Sequence, residues 1–225
     1  MPKLKLSMPQ SCAIKNRKSQ FGEDLLLLPL LLNLTANRPG TFVEIGAWDG
    51  ISLSNTFVLE RCYNWTGALI EGNPKNFLAL KRSARTARKA HWAVCDKKRG
   101  TVRITRDGLA VAGQIGAMSP AYIATHRIGD NITDTVNVRC KRFDRILAGL
   151  RIPRANFLSL DMEGAELEVL STVDTSIFDV ILVEMDGFNA SKDAAAHRLI
   201  LDSGLQHCLN FRPYLSRVYA RRCTL

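Results

Sequence analysis

No two of the six cysteines, Cys12, Cys62, Cys95, Cys140, Cys208 and Cys223, stand in a Cys-x-x-Cys pair, so a zinc knuckle has no ligand set. No stretch repeats along the chain and none is of low complexity, which sets aside solenoids and repeat arrays. The apolar run Leu25–Leu32 is too short to cross a bilayer. It follows Glu23 and Asp24 rather than a basic segment, which argues against a signal peptide. It reads as a buried helix with an acidic first turn, interrupted or started at Pro29. The cysteines are accordingly expected as reduced thiols of a cytoplasmic protein. Asn-x-Ser/Thr sequons begin at Asn33, Asn64, Asn131 and Asn189, and without an export signal they read as chance.

What remains is a chain of 225 residues, 46% hydrophobic and 23% charged, which suits one buried core and excludes disorder for most of its length. The formal net charge is +10, with a pI near 9.6. That balance favours anionic partners such as nucleic acid, an acidic membrane surface or an acidic glycan. The basic residues are spread out, and each group, including Lys81 to Lys89, reads as solvated surface. Residues 1–18 form a basic arm expected to be poorly ordered, and residues 19–225 a single domain.

From Phe21 onward, helical and extended patterns alternate. Strands are expected at Thr41–Ile45, Gly67–Ile70, Ala90–Val94, Phe157–Leu160 and Val180–Val183. Helices are expected at Ile51–Arg61, from Asn73-Pro74 to about Arg88, at Ala165–Val173 and at Lys192–Ser203. The spacing predicts an α/β fold of Rossmann-like form, a mostly parallel central sheet with helices on both faces. Extended segments at Leu205–Phe211 and Arg217–Ala220 predict an antiparallel C-terminal edge.

Acidic residues recur where these strands end. Val43-Glu44-Ile45-Gly46-Ala47-Trp48-Asp49-Gly50 is a strand running into a glycine turn, yet the full Gly-x-Gly-x-x-Gly fingerprint is missing. That disfavours a dinucleotide pyrophosphate. A carboxylate there suits a ligand with an ammonium group, such as the methionine part of S-adenosylmethionine (SAM). Glu71, ending the second strand, can accept from both ribose hydroxyls, and Asn73 caps the helix that follows. Cys95-Asp96 ends the third strand, where Asp96 can accept from an adenine amino group. The fourth strand delivers Asp161, Glu163 and Glu166, and the fifth Glu184 and Asp186. Carboxylates gathered at one sheet edge suit a general base of raised pKa. They also suit a hard divalent cation, Mg or Mn, held by Asp161, Glu184 and Asp186. His126 is a further candidate base, and Tyr214 a candidate wall of an acceptor pocket.

Taken in order, Ser19–Asp24, FVEIGAWDGISLSN (Phe42–Asn55), WTGALIEGNP (Trp65–Pro74), DMEGAELEVL (Asp161–Leu170) and Ile181–Glu184 resemble the FkbM-type methyltransferases. The resemblance implies a Rossmann-like methyltransferase fold, SAM as donor, and O-methylation of a sugar, glycan or small natural product. It implies a cofactor set of Glu44, Gly46, Trp48, Asp49, Glu71, Asn73, Cys95, Asp96 and Asp161, with bulky Trp48 a departure in the first turn. Asp161 and Glu163 would be catalytic, and Ser19–Asp24 would close over the cofactor. Other acceptors leave other traces. There is no Asn/Asp-Pro-Pro-Tyr/Phe stretch after the fourth strand and no Pro-Cys nucleophile, which sets aside amino-group and cytosine C5 chemistry on nucleic acid. The net charge keeps two alternatives open: an RNA 2′-O-methyltransferase, although no Lys-Asp-Lys-Glu-like set is present, and a non-catalytic SAM- or RNA-binding module.

Overall fold

A computed structural model describes residues 8–97, 100–105, 113–125 and 135–224. Helices α1 (Met8–Asn16) and α2 (Glu23–Leu34) precede strand β1 (Thr41–Ile45). Then come α3 (Phe57–Tyr63), β2 (Thr66–Glu71), α4 (Pro74–Arg82) and the strands β3 (Arg88–His91), β4 (Ala93–Val94) and β5 (Gly100–Thr105). After α5 (Pro120–Thr125) follow β6 (Thr135–Lys141), α6 (Phe143–Gly149), β7 (Ala155–Leu160), α7 (Glu166–Leu170) and β8 (Phe178–Glu184). The chain ends with α8 (Ala190–Asp202), β9 (Gln206–His207) and β10 (Ser216–Ala220).

Seven strands form the central sheet in the order β3-β2-β1-β7-β8-β10-β9. All pairings from β3 to β8 are parallel, and β10 runs antiparallel to both β8 and β9. The expected α/β class and antiparallel C-terminal edge are both present. Strands β1, β2, β7 and β8 are buried on both faces, which is why they read as near-continuous apolar runs. One face places Val43, Ile45, Leu158 and Ile181 against Phe143 and Ile146 of α6, Val169 of α7 and Ile200 of α8. The other places Phe42, Leu69, Phe157 and Val180 against Leu27 and Leu31 of α2 and Val58 of α3. Chain order reverses at β1, whose neighbours are β2 on one side and β7 on the other. Ligands of open α/β sheets bind at that switch point, beyond the carboxyl ends of the strands.

Three expectations are corrected. The segment read as one strand, Ala90–Val94, divides at Trp92: β3 joins the central sheet, and β4 joins a separate sheet of order β4-β6-β5. The helix expected from Ile51 starts only at Phe57, because Asp49 and Glu44 take the backbone N–H groups of Ile51, Ser52 and Asn55 into a loop. Helix α2 runs unbroken through Pro29. Residues 8–16 of the expected arm form α1, which buries Ala13 and is tied to α3.

The tie is a disulfide, and it overturns the reading of reduced thiols. Cys12 bonds Cys62, Cys95 bonds Cys140 and Cys208 bonds Cys223, leaving no free cysteine. The partners are 50, 45 and 15 residues apart, so only the tertiary fold brings them together. Among the described residues, no helix is long and apolar enough to cross a membrane.

Candidate active site

The site begins with one glycine. Gly46 has φ +79°, and a Cβ there would lie 1.9 Å from the Asp161 carbonyl oxygen. Only glycine lets β1 end so close to the end of β7. The backbone N–H groups of Gly46 and Ala47 donate to the Ile70 carbonyl, and that of Asp161 donates to Ile45. These bonds draw the ends of β1, β2 and β7 into one crevice.

Several expected cofactor residues build this crevice from within. Glu44 is buried and accepts from Ser54 Oγ, Thr56 Oγ1 and the Asn55 N–H. Burial raises its pKa; Arg85 and these hydrogen bonds oppose the shift. Asp49 accepts from the N–H groups of Ile51 and Ser52 and from the Ser52 hydroxyl. Glu71 accepts from the N–H groups of Trp48 and Asn73, and burial pushes it up to about 7. Asn73 is spent on capping α4 and on the Thr105 carbonyl. Trp48, held at φ 47°, lies between two cavities and lines both. The smaller cavity is also lined by Glu71, Gly72 and Asn73. Cys95 and Asp96 fall outside. Cys95 is consumed in its disulfide, Asp96 is exposed, and neither lines these cavities.

The larger cavity, about 150 Å³, is walled by Gln20, Trp48, Asn55, Asp161, Glu163, Glu184, Asp186 and other residues. Among the described residues, no lysine or arginine is in its wall. Asn55 donates its Nδ2 to Ser159 Oγ, while its buried Oδ1 has no hydrogen-bond partner among the described residues. An acceptor without a donor, set among carboxylates, leaves room for a positively charged ligand group.

Asp161 sits deep in the cleft yet open to the cavity, and it hydrogen-bonds to Glu184. Burial raises the pKa of Asp161; the bond from Glu184 opposes this, while the charges of Glu44, Glu23 and Asp186 add to it. Glu184 is raised as well, by burial first and then by the Asp161 charge, so the two carboxyls share a proton. Glu163 lines the same cavity at φ 53°. Glu166 accepts from the N–H groups of Met162 and Gly164, shaping the turn between β7 and α7, and burial pushes it up to about 7. The carboxylate triplet with metal-ligand spacing is Asp161, Glu166 and Glu184, with oxygens within 4.8 Å of one another. It differs from the expected set in its third member. Asp186 lies in the same wall and accepts from the Phe188 N–H.

The sequence reading passed over Arg85, which lies in a basic run taken for solvated surface. It is 5% exposed and donates to Glu60 Oε2 at 2.8 Å, to Thr56 Oγ1, to Ser54 Oγ and to the Gly50 carbonyl. It holds the loop between Gly46 and Thr56 from beneath, and no local pattern separates it from its exposed neighbours. Ser19–Asp24 lies beside that loop through a bridge of Ser19 to Leu53, with Gln20 in the cavity wall. Phe21 packs edge-on against Tyr214 with ring centroids 4.7 Å apart, and both rings are exposed near the cavity mouth. His126 lies outside the described residues.

Residues 44–212 match the profile of the methyltransferase FkbM domain. Among solved structures, the chain is similar to the methyltransferase FkbM from Methylobacillus flagellatus KT, with 17% identity and a TM-score of 0.46. That match covers 95% of this chain and 58% of that one, so this chain spans little more than half the length of that relative. It is also similar to the precorrin-6y C5,15-methyltransferase from Geobacter metallireducens GS-15, with 13% identity, a TM-score of 0.38, and coverage of 97% and 90%. No curated protein matches the chain.

Proposed function

The chain belongs to the FkbM methyltransferase family, and from that premise we propose that it transfers a methyl group from SAM to a hydroxyl of a sugar, a glycan or a small natural product. One observation carries the reading: a cavity at the β1–β7 switch point that the described residues line with carboxylates and the unpaired Asn55 Oδ1 and with no basic side chain, in a protein of net charge +10. That lining fits the ammonium and sulfonium charges of the donor. Asn55 and Asp161 would face the methionine part, Trp48 and Gly46 would flank it, and Glu71 would meet the ribose from the smaller cavity. The donor supplies a methyl group on a good leaving group. The chain's share of the work is then to align an acceptor oxygen and take its proton.

Asp161 is suited to that proton. It shares a proton with Glu184, opens onto the cavity, and has a pKa raised by burial. Glu163 stands beside it on the same turn. The exposed pair Phe21 and Tyr214 offers the C–H face of a sugar ring a surface to pack on. The triplet Asp161, Glu166 and Glu184 also has the spacing for a divalent cation, which would replace the shared proton. Activity that survives exhaustive chelation removes that option.

The net charge supports a second reading, methylation of an RNA 2′-hydroxyl, but the acid-lined cavity would repel phosphates beside the reacting oxygen. The test is methyl transfer from labelled SAM to a panel of glycans, small phenols and RNA. Label on a glycan or small alcohol is the expected result. Label on RNA alone moves the assignment to the second reading. Calorimetry showing no SAM binding to the folded chain removes both.

A further inference from the structure

We propose that Asn33 and Asn64 carry N-linked glycans. Two independent observations meet here. All six cysteines are paired, and such bonds persist in the oxidising lumen of the secretory pathway rather than in a reducing cytosol. Oligosaccharide transfer to Asn-x-Ser/Thr takes place in that same compartment. The sequons at Asn33-Leu34-Thr35 and Asn64-Trp65-Thr66 are thereby substrates rather than chance.

Their placement fits. Asn33 lies in the last turn of α2 and Asn64 forms the C-cap of α3, and both are exposed. Asn64 is two residues before β2, and the end of α2 leads into β1, so both stand at the amino edge of the sheet. The candidate active site is at the carboxyl edge, one strand length away, roughly 17–20 Å. Glycans at Asn33 and Asn64 would leave the cavity open. Asn189 is the contrast. Its Oδ1 accepts from the Lys192 N–H and the Ser191 hydroxyl, and it borders a small cavity shared with Glu184, Asp186 and Phe188. A glycan there would crowd the site.

The test uses the full chain isolated from its own cells. The protein is denatured, alkylated without reduction, and treated with peptide N-glycosidase in heavy-oxygen water. The expected result is labelled aspartate at positions 33 and 64, unlabelled Asn189, and no alkylated cysteine. In the same cells the Thr66→Ala variant, which leaves Asn64 itself in place, loses one glycan step in electrophoretic mobility. Thr66 is exposed at the first position of β2, so this change leaves the core intact. Recovery of Asn33 and Asn64 as unmodified asparagine overturns the proposal, whatever the state of the thiols.

Discussion

Asp161 and Glu184 illustrate how far a single position can be read from sequence. That both acids belong to the site follows from their places at the ends of β7 and β8. That one proton lies between them does not, because it depends on burial and on a pairing across two strands. The sharing has a consequence for each residue. Asp161→Asn keeps the shape and removes the proposed base, so turnover at saturating SAM should fall by about 10²-fold or more, beyond any loss of SAM affinity, with the melting temperature nearly intact. Glu184→Gln keeps a neutral donor toward Asp161 and should retain more than about a tenth of the rate. Single-turnover rates on both variants check this, and a normal rate in Asp161→Asn removes it from catalysis. Because the pKa of Asp161 is raised, the acid limb of the rate profile should fall at a higher pH than an ordinary aspartate gives. Glu166 makes a separate prediction. Its folded pKa is about 7 against an ordinary 4.5, so the folded state holds its proton more tightly than the unfolded chain. The stability this adds is complete below pH 4.5 and is lost as pH rises through about 7. Glu166→Gln keeps an oxygen able to accept from Met162 and Gly164 but does not titrate. Thermal melts of the ligand-free protein should show a smaller loss of stability from pH 5 to pH 7.5 in the variant than in the wild type.

At the scale of elements, the parallel strands were legible because strands buried on both faces are written as short apolar runs between breakers. The loop after β1 was not. Ile51–Arg61 has enough apolar periodicity to read as helix, but Glu44 and Asp49 compete for its N–H groups, and Ser54 takes those of Thr56 and Phe57. Those carboxylates look like ligand contacts in sequence, and in the structure they shape the loop. The division of the third strand at Trp92 was equally hidden, since β4 takes its partner from β6, far along the chain. Arg85 is what makes the loop one unit, linking Glu44, Glu60, Ser54, Thr56 and the Gly50 carbonyl. Arg85→Met should cost about 3–5 kcal/mol in urea denaturation, because Glu44 and Glu60 are left buried without their cation. In whatever folded enzyme survives, the KM for SAM should rise more than kcat falls, since the loop borders the donor cavity while Asp161 lies on another element. Unchanged stability would mean that water reaches Glu44 and Glu60 and that Arg85 ties nothing.

For the molecule as a whole, the alternation of strand and helix patterns named the fold class, while the state of the cysteines was misjudged. Pairing cannot be read from spacing when the partners are 50 or 45 residues apart, and the absence of Cys-x-x-Cys speaks only against local motifs. The net charge of +10 was equally mute about the site, whose cavity has no basic side chain in its wall among the described residues. The three disulfides tie down different parts of the fold. Cys12–Cys62 fastens α1 to the end of α3, Cys95–Cys140 joins β4 and β6 of the small sheet, and Cys208–Cys223 closes the C-terminal hairpin around β9 and β10. Closing a loop removes freedom mainly from the unfolded chain, by about 3 kcal/mol for a loop near 15 residues and about 4 kcal/mol for one near 50. The double variant Cys12→Ser/Cys62→Ser should therefore lose more stability than Cys208→Ser/Cys223→Ser in non-reducing denaturation. The first pair also holds a helix that buries little of its own, since Ala13 is the one buried residue described in α1. Its loss should free α1 to exchange its amides while the central sheet stays protected, which hydrogen exchange on the folded variant would read directly. Equal losses for the two pairs, or α1 amides as slow as in the wild type, would show that α1 is held by packing and that the first disulfide is incidental to the stability of the fold.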